Sequence, residues 1–571
     1  MENIDIARIF EEVADLLEIQ GANVFRVRAY RTAARTLESL SVPIVSLLKK
    51  DEGELEKLPG IGKDLAGKIR EIVETGSLTL LRQLTAEIPE GLVEMMRIPG
   101  LGPKRAKQLY DELKIASLAD LEEAARSGRL QEIKGFGPTL QTKILQGIAE
   151  HKARAGRFRL AEADAYVRPL LEYLRGAPGI EKLEVAGSYR RRRETVGDLD
   201  VLVAAKSPQN VADRFVRYPE VLKILAQGET KCSVVLKAGL QVDLRIVPEA
   251  SYSAALHYFT GSKAHNIAIR TLGVKRKLKI NEYGIFRGSR RLGGRTEEEV
   301  FKAVGLPPIP PELREDRGEI EAAREGRLPK LVEAADIRGD LQMHTTYTDG
   351  KHSLDAMVEA CRDRRYEYVA ITDHTKAVRV AGGLGPREFR KQFREIEKLQ
   401  KTTDGIAILK GAEVDILEDG RLDLDDATLA ELDWVVVSIH SRLNLSRSEM
   451  TRRVVRALRH RHVHAFGHPT GRILGRREPY ALDMEEVVKV ACDHRIALEV
   501  NAQPDRLDLN DVHVRMAKEA GVKLVISTDA HRIEELDNMP YGVDQARRGW
   551  CEASDVLNTL PAAEFLKQIR R

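Results

Sequence analysis

Apolar residues at helical spacing dominate the start of the chain. Ile6, Phe10, Val13 and Leu17 recur every three or four residues, which predicts one buried helical face within residues 5–40. Three of the helical patterns that follow are preceded by the same order of an apolar residue, any residue, Gly, an apolar residue and Gly. These repeated segments are residues 58–62, 98–102 and 133–137. We therefore expect this part of the chain to be helical, with three similar turns.

Strand periodicity replaces helical periodicity near residue 180. Residues 198–203 and 241–247 alternate polar and apolar positions, as half-buried strands do. Side chains two residues apart on a strand share a face, so Asp198 and Asp200 are predicted to project in the same direction. Asp243 lies on the second, equivalent strand. The sequence therefore predicts an α+β domain here, with three carboxylates on its strands.

Beyond residue 338, short apolar runs end in residues that bind metals. Helical patterns separate the runs, so we expect parallel βα units of a barrel, where reactive groups gather at the carboxyl ends of the strands. The residues at these ends are Asp373, His374, Glu413, His440, His468, Asp529 and His531. A single histidine at a strand end is usually a hydrogen-bonded core residue, but five such runs favour a metal site.

The composition narrows the class of protein. A chain of 571 residues exceeds the size of one hydrophobic core, so several domains are expected. The chain has 43% hydrophobic and 32% charged residues, and no apolar run approaches the roughly 20 residues of a membrane span. Its four cysteines are far apart and form no CxxC pair, which favours reduced thiols. We expect a cytoplasmic protein without a membrane partner.

Charge and histidine are distributed unevenly. The net charge is only +4, but the excess of Lys and Arg lies before residue 339, whereas most of the 14 histidines lie after it. A basic first half favours a polyanionic partner. A histidine-rich second half favours bound metal.

The carboxylates Asp198, Asp200 and Asp243 are predicted to form a catalytic triad. Like charges held this close repel one another unless a cation or a proton relieves them. Three carboxylates form an oxygen cage for one or two Mg²⁺ ions, which clamp a triphosphate and activate an attacking hydroxyl. The Gly-Ser turn before them and the arginines at 190–193 supply N–H and guanidinium groups for phosphates. An exposed acidic edge strand is the alternative, and the combination favours the catalytic site.

The three Gly-X-Gly turns have a shared physical logic. Two glycines let the backbone turn tightly and approach a phosphate, and the following helix N-terminus presents free N–H groups to it. The glycines concerned are Gly60, Gly62, Gly100, Gly102, Gly135 and Gly137. These segments resemble helix-hairpin-helix motifs, which contact the DNA backbone without reading its sequence. One copy is usually a simple turn, whereas three copies predict DNA contact, although the third lacks the small residue supplied by Ala66 and Ala106.

Residues 1–315 as a whole resemble a family X DNA polymerase. The resemblance rests on the first hairpin domain, the Gly-Ser/Asp-X-Asp segment and Tyr258-Phe-Thr-Gly-Ser262 with Asn266 and Arg270. It implies that Asp198, Asp200 and Asp243 are catalytic and bind Mg²⁺. It also implies nucleotide contacts from Ser188, Arg191, Gly197, Tyr258, Phe259, Gly261, Asn266 and Arg270, and a cis peptide within the 258–262 segment. Considered without the family resemblance, this aromatic segment fits a hydrophobic core equally well.

The resemblance also extends to the N-terminal domain. Animal members of the family use a lysine there to attack an abasic sugar, and Lys68 falls at the matching position. Arg26 and Tyr30 match contacts to a 5′-phosphate, whereas Asp64 occupies another position that is basic in the family. We predict binding of a 5′-phosphate and leave the lyase reaction open.

Residues 338–571 resemble a PHP (polymerase and histidinol phosphatase) domain. The resemblance implies a distorted β/α barrel that holds up to three Mn²⁺ or Zn²⁺ ions and hydrolyses phosphoesters. The implied metal ligands are His344, Asp349, His374, Glu413, His440, His468, Asp529 and His531. Gln342 takes the place of the family's leading histidine. His464 is left open as a further ligand or a neighbour of one, and His460 and His462 are predicted to be solvated.

The two halves together match bacterial PolX proteins, which are polymerases with a fused PHP nuclease. The implied fold class is multidomain, with helical hairpin domains, an α+β nucleotidyltransferase palm and a C-terminal distorted β/α barrel. The predicted domains are a DNA-end-binding domain (1–85), a fingers-type hairpin domain (86–155), a palm (156–250), a nucleotide-selecting subdomain (251–315), a linker (316–337) and the PHP domain (338–571).

The implied function is gap-filling DNA synthesis in base excision repair, with a 3′-5′ exonuclease in the PHP domain. The expected partners are gapped or primer–template DNA and dNTPs, and a monomer is expected. One alternative is a polymerase whose PHP domain is inactive, structural, a phosphomonoesterase or an abasic-site endonuclease. The other is a DNA-end-binding scaffold without catalysis, which the intact acidic triad argues against.

Overall fold

The computed structural model describes residues 3–39, 44, 47–48, 53–75, 77–87, 92, 95, 98, 101–154 and 157–570. The chain divides into two compact units, Met1–Gly156 with Val235–Leu240, and Arg157–Val234 with Gln241–Arg571. No helix within the described residues is both long and apolar enough to span a membrane.

The first unit is helical, as its apolar spacing predicts. Its described helices are α1 (Asn3–Ile19), α2 (Val24–Ser39), α3 (Lys63–Thr75), α4 (Thr79–Glu87), α5 (Pro103–Leu113), α6 (Leu118–Arg126) and α7 (Pro138–Arg154). The helical region 5–40 contains two helices because Gly21, with a φ of 75°, lies in the left-handed region between them. The rings of Phe10 and Tyr30 join α1 to α2 with centroids 5.3 Å apart.

The three predicted turns share one backbone hydrogen bond. The residue between the two glycine positions donates its N–H to the carbonyl three residues earlier, at 3.0–3.1 Å in each copy. The donor and acceptor pairs are Ile61 with Leu58, Leu101 with Ile98, and Phe136 with Ile133. Gly60 and Gly135 have φ of 76° and 94°, so glycine is required there, and Gly100 lies outside the described residues.

An α+β region begins the second unit. Its strands are β1 (Phe158–Arg159), β2 (Ile180–Val185), β3 (Thr195–Val196), β4 (Asp198–Ala205), β5 (Val221–Gln227), β6 (Lys231–Leu236), β7 (Gln241–Val247), β8 (Lys279–Asn281), β9 (Gly284–Arg287) and β10 (Arg290–Gly293). Its helices are α8 (Leu160–Arg175), α9 (Gly187–Arg190), α10 (Pro208–Val216), α11 (Tyr252–Thr260), α12 (Lys263–Lys275), α13 (Glu297–Ala303) and α14 (Glu319–Arg324). The main sheet has the order β2-β4-β7-β6-β5, and β4 and β7 are parallel neighbours.

A seven-stranded parallel sheet forms the rest of the second unit. Its strands follow one another in chain order: β11 (Gly339–Asp340), β12 (Tyr368–Ile371), β13 (Ala407–Asp415), β14 (Trp434–Ser438), β15 (Ala465–Phe466), β16 (Ala497–Asn501) and β17 (Leu524–Ser527). Its helices are α15 (Leu354–Asp363), α16 (Pro386–Gln400), α17 (Asp426–Leu429), α18 (Arg447–Leu458), α19 (Met484–His494), α20 (Asp511–Glu519), α21 (Met539–Arg548) and α22 (Ala562–Ile569). A parallel bridge between Met343 and Ala530 joins the first strand to the last, which nearly closes a barrel. The predicted fold class is confirmed.

The segment predicted as a linker is packed against its neighbours. Glu319 in α14 is fully buried and lies 2.7 Å from Nδ1 of His265. Ile320 and Ala323 join the same apolar cluster as Trp550, which follows α21. The segment therefore packs against neighbouring elements, although its charged composition is typical of a linker.

Candidate active sites

The three aspartates of the α+β region meet at the edge of the parallel strand pair. Asp200 on β4 is directly opposite Asp243 on β7, and Asp198 precedes Asp200 by two residues on the same face. Burial, followed by the charges of Asp198 and Asp243, raises the pKa of Asp200 to about 7. Burial and the charge of Asp243 also raise the pKa of Asp198. A cation therefore displaces a proton when it binds these carboxylates near neutral pH.

The turn before these strands is built around Asp200. Gly187 begins α9 with a φ of 64°, and a Cβ atom added there would lie 2.6 Å from Oδ2 of Asp200. Glycine alone lets the backbone pass this close to the carboxylate. The triad offers only carboxylate oxygens, the donor set that fits a hard divalent cation such as Mg²⁺.

A cavity of about 690 Å³ opens beside Asp198 and Asp200. All eight residues that the resemblance assigns to the nucleotide line it: Ser188, Arg191, Gly197, Tyr258, Phe259, Gly261, Asn266 and Arg270. Arg157, Arg193 and Lys263 line it too, and sequence reasoning missed Arg157 and Lys263. Arg193 belongs to the arginine run, but neither Arg157 nor Lys263 lies in a motif that marks it. The cavity therefore combines two carboxylates with five basic side chains.

The residues around the aromatic segment are held by backbone contacts. Asn266 donates from Nδ2 to the carbonyl of Tyr258 at 2.6 Å, and Arg191 donates from Nη1 to the carbonyl of Thr260 at 2.6 Å. The Gly261–Ser262 peptide is cis, as the resemblance implies. These bonds fix the wall of the cavity opposite the carboxylates.

Seven of the eight predicted ligands of the barrel gather into three overlapping groups. The groups are His344, Asp349, His374 and His531; His374, Glu413 and His440; and His344, Glu413 and Asp529. Oε2 of Glu413 lies 3.2 Å from Nδ1 of His374 and 3.3 Å from Nε2 of His344. Each ligand follows or ends a barrel strand, as the pattern of apolar runs predicts. His344, His374 and Glu413 each belong to two groups, so they bridge neighbouring positions.

The donor atoms of this cluster are arranged for cations. Four buried atoms of the cluster have no hydrogen-bond partner in the described part of the chain: Nδ1 of His344, Oδ1 of Asp349, Nδ1 of His374 and Oε2 of Glu413. An unpaired buried polar atom costs folding free energy, so the concentration of such atoms at one place indicates a binding site for cations. Mixed imidazole and carboxylate donors suit Mn²⁺ or Zn²⁺.

The histidines of the cluster differ in their pKa values. Burial lowers the pKa of His374 to about 3. Burial also opposes protonation of His440, but Glu413 and Asp415 outweigh it and raise the pKa of His440 to about 9. Neutral imidazole is the ligand form, so a cation bound at His440 releases a proton.

The remaining predicted ligand and His464 differ in position. His468 is buried, and its Nε2 lies 2.9 Å from Oε1 of Glu413, at the edge of the three groups. His464 is not a ligand, because its Nδ1 accepts a hydrogen bond from the N–H of Val435 at 3.0 Å. Its ring stacks on Trp434, with centroids 5.3 Å apart. The interpretation of His464 as a possible ligand is therefore wrong.

Gln342 is the residue that departs from the ligand pattern. It is fully buried, and both of its amide atoms lack a hydrogen-bond partner among the described residues. A Cβ atom added to Gly467, the neighbour of His468, would lie 3.2 Å from Oε1 of Gln342. The amide therefore points into the barrel beside the metal-ligand cluster.

Sequence reasoning missed Arg506, which lies beside the same cluster. Its Nε is 3.9 Å from Oδ2 of Asp529, and its Nη1 is buried without a partner among the described residues. Its side chain remains 20% exposed. No sequence motif marks it, because it lies in an irregular loop after β16. A guanidinium group here supplies positive charge for an anion beside the cluster.

The candidate 5′-phosphate residues lie together in the first unit. Lys68 forms an ion pair with Asp64, and its Nζ lies 5.9 Å from the ring centroid of Tyr30. Tyr30 is buried, whereas Arg26 is exposed and forms no ion pair with the described residues. Asp64 thus pairs with Lys68, whereas Arg26 stays exposed without an ion pair to the described residues.

Family models match four parts of the chain. Their descriptions are helix-hairpin-helix domain (residues 1–78), SAM-like helix-hairpin-helix tandem (92–150), DNA polymerase beta thumb (255–315) and PHP domain (340–503).

Related proteins cover the chain to different extents. A Bacillus subtilis (strain 168) protein named DNA polymerase/3′-5′ exonuclease PolX is 41% identical over 562 residues, 98% of this chain and 97% of that protein. DNA polymerase lambda of Rattus norvegicus is 28% identical over 55% of this chain and 56% of its own length. DNA polymerase lambda of Arabidopsis thaliana is 25% identical over 55% of this chain and 62% of its own length.

Proposed function

The chain belongs to the bacterial PolX family of DNA polymerases with a fused PHP domain, and on this premise we propose that it fills short gaps in DNA and trims 3′ ends at a second centre. The observation that supports synthesis most strongly is the register of Asp200 against Asp243 beside a cavity lined by every predicted nucleotide contact. We propose base excision repair as the process that this activity serves.

In the polymerase site, Asp198, Asp200 and Asp243 would hold the Mg²⁺ ions. Such ions lower the pKa of the primer 3′-hydroxyl and neutralise charge on the triphosphate. Ser188 and the basic residues of the cavity other than Arg270 bind the triphosphate, and Tyr258 and Phe259 face the sugar. Asn266 contacts the incoming base and Arg270 the template minor groove. These contacts orient the nucleotide so that the primer 3′-hydroxyl can attack the α-phosphorus from one side.

In the nuclease site, the barrel ligands would hold up to three Mn²⁺ or Zn²⁺ ions within the three groups. Such ions polarise the scissile phosphodiester and supply the nucleophile. Arg506 binds the phosphate, because its Nη1 is buried with no hydrogen-bond partner in the part of the chain that the structure describes, and its side chain is still reachable from solvent. The substrate is the 3′-terminal nucleotide of a DNA strand.

A labelled primer over a short gap tests this function directly. Incubation with dNTPs and Mg²⁺ should lengthen the primer, and incubation with Mn²⁺ alone should shorten it from the 3′ end. A protein that binds the gap but changes the primer in neither direction is a scaffold. A protein that lengthens the primer yet releases phosphate only from small monoesters has a phosphomonoesterase in its PHP domain.

Gapped DNA with a 5′-phosphate should bind more tightly than the same DNA with a 5′-hydroxyl. Arg26 and the helix N-termini after the hairpin turns contact phosphates, so affinity should also fall by about 0.9 log units per neutralised phosphate for each log unit of salt. Arg26→Gln should reduce the preference for the 5′-phosphate in a filter-binding titration.

The matched control is Arg126→Gln, because Arg126 is 71% exposed and paired with Glu122 on α6. This variant should keep the full preference. Equal affinity of the unmodified protein for both gaps would contradict the assignment of this pocket.

Gln342→His should strengthen the metal centre. A glutamine offers a neutral amide oxygen where an imidazole nitrogen is the better ligand for Mn²⁺ or Zn²⁺. We expect about tenfold tighter binding of one ion, the smaller end of the range seen for changes around metal ligands. Metal titration and the exonuclease rate at limiting Mn²⁺ measure the effect.

Gln342→Asn is the matched control, because it keeps the amide and adds no imidazole. If Gln342→His changes neither the metal content nor the exonuclease rate, a neighbouring group or water already fills the position.

A further inference from the structure

A chain of buried charges connects the nucleotide cavity to the PHP barrel. We call it the arginine network and define it by Arg191, Glu315, Arg317, Asp511 and Arg548. Arg191 lines the cavity, and Glu315 and Arg317 lie between α13 and α14. Asp511 and Arg548 lie on barrel helices α20 and α21. The network therefore crosses from one candidate active site into the domain that holds the other.

Arg548 lies at the centre of the arginine network. Its Nη1 donates to the backbone carbonyl of Arg191 at 2.7 Å and to Oε1 of Glu315 at 3.1 Å. Its Nη2 donates to Oδ2 of Asp511 at 2.6 Å, and Arg317 reaches the same oxygen at 3.0 Å. Nη1 of Arg548 thus bonds to residues across the domain boundary, whereas Nη2 bonds to Asp511 within the barrel.

Arg191 is restrained from two directions. Its Nε donates to Oε1 of Glu315 at 3.0 Å, the same oxygen that accepts from Arg548, and its Nη1 donates to the carbonyl of Thr260. Its Nη2 makes no hydrogen bond to the described residues, and the side chain lines the cavity. Arg548 therefore fixes the backbone of Arg191 and also shares its counter-ion.

Burying the charges of the arginine network costs free energy unless each charge keeps its counter-ion. The side chain of Arg548 is only 3% exposed and that of Glu315 only 9% exposed. Burial opposes ionisation of Glu315, but Arg548 and Arg191 outweigh it and lower the pKa of Glu315 to about 2. Removing one charge from a buried network leaves its partners uncompensated, so their positions change.

We propose that Arg548 is a positioning residue of the polymerase site, which makes the PHP domain a structural part of nucleotide binding. Without Arg548, Glu315 keeps Arg191 as its main counter-ion and draws the guanidinium away from the triphosphate. With Arg548, the charge of Glu315 is shared and Nη2 of Arg191 stays directed at the cavity. This inference rests on the proposed polymerase function.

Arg548→Met tests the inference, because Met keeps much of the length and removes the charge. Steady-state incorporation into a gapped duplex should show a KM for dNTP raised about 10- to 100-fold, the cost of losing a hydrogen bond to a charged group. The value of kcat should change by less than about threefold, because an arginine that binds triphosphate equally before and during reaction acts on KM. Exonuclease activity on single-stranded DNA should be unchanged.

Arg547→Met is the matched control. Arg547 neighbours Arg548 on α21 and bonds to Glu312 at 2.9 Å, but it touches neither Arg191 nor Glu315. Its loss weakens the same domain boundary without reaching the cavity, so KM should stay within about twofold. Equal KM increases in both variants would mean that general loosening is the cause, and the positioning role would be wrong.

Arg548→Lys keeps the charge but has fewer donors, and it should give a KM between those of the unmodified protein and Arg548→Met. If Arg548→Met does not fold, as shown by loss of exonuclease activity and a lower Tm, the KM of Arg548→Lys alone tests the inference. An unchanged KM in a folded Arg548 variant overturns the inference. Absence of incorporation by the unmodified protein would instead contradict the polymerase function.

Discussion

Asp200→Asn should lower the rate of nucleotide addition by at least about a thousandfold, the scale on which a lost electrostatic stabiliser of the transition state acts. Asp200 is directly opposite Asp243 and adjacent to Asp198 on one strand face, so it is central to the carboxylate cage. An amide keeps the shape but removes the charge that attracts Mg²⁺. Single-turnover incorporation into a gapped duplex measures the loss.

The same variant should keep its 3′-5′ exonuclease activity, because the barrel ligands include none of the three aspartates. Asp213→Asn is the matched control. Asp213 lies on α10 of the same region and accepts hydrogen bonds from Gln209 and Gln227. Its replacement should change neither activity. Loss of both activities in a folded Asp200→Asn protein would contradict separate centres.

His374→Ala should produce the opposite pattern, with exonuclease activity reduced by about a hundredfold or more. His374 belongs to two of the three ligand groups, so its loss affects two cation positions. Changes around metal ligands cost about 10- to 100-fold even when they only support a ligand, and a bridging ligand should cost more. Metal analysis should show at least one ion fewer per chain, while nucleotide addition stays normal.

His460→Ala controls for the loss of a histidine from the same domain. Its Nε2 lies 3.2 Å from Oδ1 of Asp426, and it belongs to none of the three ligand groups. Exonuclease activity and metal content should be unchanged. If His460→Ala has the same effect as His374→Ala, the cluster assignment is wrong.

Periodicity predicted which carboxylates share a face, but it could not predict their partners across the sheet. Alternation along residues 198–203 placed Asp198 and Asp200 together, since the strand period is local. The register of Asp200 against Asp243 depends on the parallel pairing of β4 and β7. The paired residues are 43 positions apart in the chain, so only the folded sheet determines this register.

The same limit explains the errors in the barrel. A strand period that ran through residues 464–468 would place His464 and His468 on one face, but β15 covers only Ala465–Phe466, and His468 has a φ of 29°. The two-residue period therefore ends before His468, and His464 turns to Val435 instead of the ligands. A period read from sequence has no information on where backbone geometry interrupts it.

Long-range charge pairs were also beyond sequence reasoning. Arg191 was recognised from its local motif, but Glu315 and Arg548 hold it from positions far along the chain. Arg506 likewise acquires its place beside Asp529 only when the loop after β16 folds over the barrel. A sequence motif depends on local backbone structure, whereas a buried ion pair depends on tertiary packing between distant parts of the chain.

One assay tests the central claim that two independent centres act on the same DNA. A duplex with a one-nucleotide gap and a mispaired, labelled primer end is incubated with dNTPs, Mg²⁺ and Mn²⁺. The unmodified protein should trim the primer and then fill the gap. Asp200→Asn should stop at the trimmed primer, and His374→Ala should leave the mispaired end in place while still filling a correctly paired gap. Loss of the same step in both folded variants would contradict the account.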